Sequence, residues 1–255
     1  MQQIWKGKVK FTMSWIRRLR FRSAKESYLF LSDIHLTEPE DHSSVWKNFK
    51  ESRHHADEDL VKLIDDYMRE YPGYNHNLVF NGDNFDFRMV LSRPDGRQDM
   101  EGLETTIKNS CWRLQRILKD HLAFFAKLSK FAEKGVIHII PGNHDLEMNI
   151  AAVRRTFRKF LYEISPKNLS ARKFYKNIRF YQNHMYIPGF FYVEHGHHYD
   201  PFCTLPEYRT LVGKGKNKKL VLPFGDYASI HLTNKMGHFN PFHSESYLLR
   251  TTEYV

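Results

Sequence analysis

The sequence predicts an α/β domain built on a largely parallel sheet, and three observations predict it. Runs at 28–31, 78–80, 136–140 and 190–193 are short, apolar and rich in β-branched or aromatic residues, so they read as buried strands. Segments with apolar residues at helical spacing lie between them. Separations of this length suit βαβ crossovers, which lay strands side by side in parallel with helices on the faces of the sheet.

Each element has its own warrant. After the strand at 28–31, residues 55–70 place Leu60, Leu63, Ile64 and Met68 on one helical face. After the strand at 78–80, residues 103–133 carry Ile107, Leu114, Ile117, Leu118, Leu122, Phe125, Leu128 and Phe131 at helical spacing. A third helix is predicted from about 150 to 163, after the strand at 136–140. The segment 213–219 (GKGKNKK) is a polar loop without the spacing of a phosphate-binding P-loop.

Composition narrows the class. In 255 residues, 15% aromatic content with 20 Phe and 14 Tyr excludes a disordered or low-complexity chain. No apolar run is long enough for a transmembrane helix. Cys111 and Cys203 cannot build a disulfide framework and fit a reducing compartment. With no apolar core of a secretory signal, the expected location is cytoplasmic.

The net charge of +10 is local. Residues 1–25 hold eight basic residues and no acidic one, leaving 31 basic against 29 acidic residues over 26–255. The chain therefore divides into a basic leader, 1–26, and a nearly neutral domain, 27–255. The leader interleaves Trp5, Phe11, Trp15, Ile16, Leu19 and Phe21 with its cations. It reads as a solvated basic tail or as a segment for an anionic membrane surface or RNA. A nucleic-acid enzyme would want a basic body as well, and this body argues against one.

The residues directly after each strand carry the chemistry. Asp33 and His35 come after the first, Asp83 and Asp86 after the second, Asn143, His144 and Asp145 after the third, and His195, His197, His198 and Asp200 after the fourth. In an open α/β sheet the carboxyl ends of the strands share a crevice where ligands bind. Carboxylates with imidazoles suit divalent metals of the Mn, Fe, Co and Zn kind. Asp33 and His35, two apart in extended chain, can point the same way. Gly82, Gly142 and Gly196 sit beside these residues, where tight turns and close backbone approach are needed. Alone, Asp-x-His is a chance pair and Gly-Asp a turn; their conjunction at successive strand ends is the signal.

These residues resemble the calcineurin-like metallophosphoesterase family over about residues 27–203. The resemblance rests on four of its five blocks: Asp33-x-His35, Gly82-Asp83-x-x-Asp86, Gly142-Asn143-His144-Asp145 and the strand-terminal His195-Gly196. It implies a four-layer αββα sandwich around two divalent ions, Mn, Fe or Zn. By that resemblance Asp33 and His35 bind the first metal, Asp83 bridges both, and Asn143 and His195 bind the second. His144 protonates the leaving oxygen or steadies the transition state, oriented by Asp145, and Asp86 lends support. The activity implied is hydrolysis of a phosphodiester, pyrophosphate or phosphomonoester by metal-activated water.

The fifth block, Gly-His-x-His, is missing. Gly196-His197-His198-Tyr199 and Gly237-His238-Phe239-Asn240 both lack the second histidine, and the spacing of His231 and His243 does not match. Three explanations stand: a chain cut before its last strands, a site completed by His197, His198 or His238, or a non-catalytic binding module on the same fold. Tyr186 to Phe191 (YIPGFF) and residues 198–202 suggest aromatic surface near the metals. With the leader, this suits a lipid-linked phosphate ester and is similar to the family's bacterial UDP-diacylglucosamine hydrolases.

Overall fold

The computed structural model describes residues 25–39, 57–97, 99, 101–205, 211–215 and 218–233. Residues 1–24 of the basic leader, and His238 and His243, lie outside these. Four strands, β1 (Glu26–Leu31), β2 (Asn75–Asn81), β3 (Val136–Ile140) and β4 (Ile178–Phe180), form a fully parallel sheet in the order β1-β2-β3-β4. Helix α1 (Asp57–Glu70) joins β1 to β2. Helices α2 (Ile107–Asp120) and α3 (Leu122–Ala132) join β2 to β3, and α4 (Ala151–Glu163) and α5 (Ala171–Lys176) join β3 to β4. A hairpin, β5 (His184–Ile187) with β6 (Phe191–Glu194), comes next. A two-residue pair, β7 (Leu211–Val212) with β8 (Lys219–Leu220), precedes α6 (Phe224–Ala228).

Local chemistry explains the helices. Asp57, Glu58 and Asp59 open α1 and Arg69 closes it, each sign matching the helix dipole. The Thr106 hydroxyl accepts the Asn109 N–H at 3.3 Å and caps α2. The apolar stretch of 103–133 divides at His121, whose ring lies 2.9 Å from the Asp57 carboxylate and 2.6 Å from the Thr37 carbonyl. The chain turns there to bring the imidazole to both.

The parallel sheet has two different faces. Leu78, Phe80, Ile137, Ile139 and Ile178 pack against Ile64, Leu114, Leu118, Phe125, Leu128, Phe157 and Leu161 of the helices. Full burial of each such side chain stabilises by about 1.5–3 kcal/mol. The alternate residues Val79 and Ile140 meet Met185 of the hairpin, flanked by Tyr28, Tyr181, Phe191 and Val193. Helices therefore cover one face, and a small antiparallel sheet covers the other.

The segment 190–193 departs from expectation. Its strand runs from Phe191 to Glu194, in the antiparallel hairpin and only half buried: Phe191 and Val193 pack inward while Tyr192, and Phe190 in the turn, are exposed. That is the alternation of a sheet wetted on one side. The fourth parallel strand is Ile178–Phe180, too short at three residues to register as an apolar run.

Register sets the site. Leu31 pairs with Phe80 and Asn81 with Ile140, so the segments after β1, β2 and β3 leave the sheet at one edge.

Candidate metal centre

The first two segments continue the parallel pairing past their strands. Asp33 N–H donates to the Gly82 carbonyl (3.1 Å), His35 N–H to Asp83 (3.0 Å) and Leu36 N–H to Asn84 (2.9 Å); Asp86 N–H returns to Leu36 (2.8 Å). Asp33, His35 and Asp83 all hold positive φ, at 56°, 52° and 51°. The extended-chain expectation for Asp33 and His35 therefore fails. Left-handed kinks at both residues, not strand alternation, bring them to Asp83. Such conformations cost on the order of 1–3 kcal/mol each and persist only where the surroundings impose them.

The third and fourth segments close on Asp83. Its Oδ1 accepts the His144 N–H at 2.8 Å, and its Oδ2 lies 3.2 Å from His195 Nε2. His195 Nδ1 is 3.0 Å from the Asn81 carbonyl, which fixes the ring and aims Nε2 at Asp83. Glycine is required beneath: a Cβ on Gly82, itself at φ +81°, would sit 2.3 Å from His195 Cγ. Asn143 is buried in the same turn, between Gly142 and His144.

Asp145 does not orient His144. Its Oδ1 accepts the Gly142 N–H (2.6 Å), and its Oδ2 accepts the N–H groups of Asn84 (3.0 Å) and Phe85 (3.4 Å). This fully buried carboxylate ties the second segment to the third. The carboxylate beside His144 is Asp86, whose Oδ2 lies 3.5 Å from both His144 Nδ1 and His35 Nδ1. The supporting role expected of Asp86 is thus larger than the sequence indicated. Asp86 follows Asp83 by three residues and begins a one-turn 3-10 helix, Phe87–Met89, which is too short to leave a periodic pattern in the sequence.

Electrostatics bind the cluster. Burial alone would raise the Asp83 carboxyl, but the His195 hydrogen bond and the charges of His144 and His195 hold it below the ordinary value. Burial likewise opposes charge on His144, yet Asp86 outweighs it and pushes the imidazole up to about 10. His195 is raised to about 9, chiefly by Asp83 against burial. Asp145 is raised to about 7 by burial and the nearby Asp83 charge. His197, buried against His198 at 3.9 Å between ring centres, is lowered to about 4 and stays neutral.

The donor set fits divalent cations. Ligand atoms of Asp33, His35 and Asp83 lie within 4.8 Å of one another, as do those of His35, Asp86 and His144. His35 Nδ1, His144 Nδ1 and Asp86 Oδ1 are buried without a hydrogen-bond partner. Clustered imidazole and carboxylate donors of this kind suit divalent metals. Cys203 lies outside this chemistry, its thiol raised to about 11 by burial and Asp200.

The family model for calcineurin-like phosphoesterases matches residues 27–250. The chain belongs to the calcineurin-like phosphoesterase family. No curated protein and no solved structure matched the chain. Family members are metal-dependent phosphoester hydrolases, and the parallel sheet flanked by helices is the α/β fold expected of this calcineurin-like chain. Of the residues weighed for the missing fifth block, His197 is buried with its ring centre 5.5 Å from that of His195, and the His198 ring lies 3.9 Å from it, tilted by 39°.

Proposed function

We propose that this calcineurin-like phosphoesterase hydrolyses a phosphate ester at a two-cation centre held by Asp33, His35, Asp83, Asn143 and His195. The observation that carries the reading is Asp83: one carboxylate meets His195 through Oδ2, lies within 4.8 Å of the Asp33 and His35 donors, and receives the backbone of His144 on Oδ1. Divalent ions bound there would supply Lewis acidity and an ionised water at neutral pH. His144, with its backbone N–H on Asp83 and Asp86 opposite its Nδ1, holds a proton and donates it to the departing oxygen. Asp145 keeps the two backbone segments in register while this happens.

The leaving group is the finer question. Tyr199, Phe202 and Phe224 are exposed, and the Phe202 carbonyl accepts the Gly225 N–H at 2.8 Å. Phe202 and Phe224 stand 5.6 Å apart between ring centres. We assign this exposed aromatic pair to an apolar leaving group, a lipid-linked one included. Tyr186, Phe190 and Tyr192 belong instead to the hairpin, with Phe190 5.8 Å from Tyr28.

The test is Mn²⁺-dependent hydrolysis of bis-p-nitrophenyl phosphate and p-nitrophenyl phosphate, with Asp83→Ala and His144→Asn in parallel. Asp83→Ala should fall to background, and His144→Asn should lose about a hundred- to ten-thousandfold in kcat. Full activity in a folded Asp83→Ala chain refutes the assignment. A parent chain that binds Mn²⁺ without turnover points to a binding module.

A further inference from the structure

Beneath the centre lies a charged group that the family blocks do not include. Arg88 is 2% exposed, Glu147 0% and Asp226 1%. Arg88 Nη2 forms an ion pair with Glu147 Oε1, and Arg88 Nε lies 3.6 Å from Asp226 Oδ2. Their positions in the chain are matched. Arg88 is the second residue of the 3-10 turn Phe87–Met89, which begins on Asp86; Glu147 is the second residue of the 3-10 turn Leu146–Asn149, which begins on Asp145, directly after His144. The ion pair therefore joins the turn that presents Asp86 to the turn just beyond His144. Asp226, on α6, brings a third segment to the same guanidinium.

We propose that Arg88 is a positioning residue: its ion pair with Glu147, braced by Asp226, sets the separation between the Asp86 carboxylate and the His144 imidazole. The kinetic part of this inference rests on the phosphoesterase reading above; the structural part does not. The requirement is a fork of fixed shape. A guanidinium can engage two carboxylates from different segments, whereas an ammonium or an apolar side chain cannot hold both in one geometry. Stability alone does not call for such a group, because replacing a buried ion pair by apolar residues of similar volume is often neutral or stabilising.

The test uses two variants of the full chain, Arg88→Lys and the double replacement Arg88→Met with Glu147→Met. The first readout is the imidazole signals of the metal-free protein by NMR. The His144 and His35 signals should move in both variants, while those of His138, held within the sheet between Asn77 and Tyr181, stay in place. The second is turnover with Mn²⁺ on phenyl and p-nitrophenyl esters. A displaced proton donor should cost the phenyl ester about 10–100-fold more than the p-nitrophenyl ester, whose leaving group needs little protonation. Unmoved His144 and His35 signals in a folded variant overturn the proposal, as does an equal loss on both esters. If the double variant does not fold, Arg88→Lys decides alone. Absence of turnover in the parent chain refutes the phosphoesterase reading, and the imidazole signals still decide the role of Arg88.

Discussion

Replacing Gly142 by alanine places a methyl group 2.2 Å from Asp83 Oδ1, 2.7 Å from Asp83 N and 2.8 Å from His195 Cδ2. Real Cβ atoms do not approach closer than 3.0 Å, so the Asp83 carboxylate must retreat by roughly 0.8 Å, and its backbone blocks part of the retreat. Ligand positions in a metal site tolerate only about 0.2 Å. The expected result is a Mn²⁺ affinity about 10–100-fold weaker, the range for lost support around a metal ligand. Overpacking adds a destabilisation of about 1–3 kcal/mol, visible as a Tm lowered by some 2–4 °C for each kcal/mol in a domain of this size. Titration calorimetry with Mn²⁺ and thermal melts read the two effects separately. Gly189→Ala is the control: it has φ +73° and nothing within 4 Å of the new Cβ, so it should cost stability without touching affinity. Parental Mn²⁺ affinity in a folded Gly142→Ala chain would refute the placement of Asp83 and His195 around this glycine.

The same physics gives three further outcomes. His138, between Asn77 (3.0 Å) and Tyr181 (2.9 Å), has its pKa lowered to about 4 by burial and then by Arg179. Its folded value lies below its unfolded one, so its stabilisation is complete above about pH 6.5 and is lost as pH falls towards 4. The loss amounts to about 3 kcal/mol; urea melts across this window should be steeper in pH for the parent than for His138→Gln, and parallel curves would count against it. Saturating Mn²⁺ at a hundred times its Kd should stabilise the chain by about 2.7 kcal/mol, read as a raised Tm that Asp83→Ala abolishes. Asp145→Asn turns an amide NH₂ towards backbone donors at Gly142 or at Asn84 and Phe85. It should cost about 1–3 kcal/mol in a urea melt, and an unchanged midpoint would show that these bonds carry no weight.

The α/β class, three of the four parallel strands among the described residues, the helices between them and the family are legible in the amino-acid order, because each is written in local periodicity or in short blocks beside strand ends. That order brought Asp33, His35, Asp83, Asn143, His144 and His195 into consideration through residue type and position alone. Tertiary structure decided what no local pattern encodes. The left-handed backbone of Asp33 and His35 comes from pairing with residues 82–84, 49 positions away in the case of Asp33 and Gly82. The carboxylate beside His144 is Asp86 and not Asp145, since adjacency in sequence puts Asp145 next to His144 while the fold turns its carboxylate onto distant N–H groups. The only sequence sign of Arg88 was a cation between the apolar residues Phe87 and Met89, and of Glu147 a carboxylate between Leu146 and Met148. A charge in such a run reads as exposed until its counter-charge arrives from another segment, and that arrival is a property of the folded chain alone.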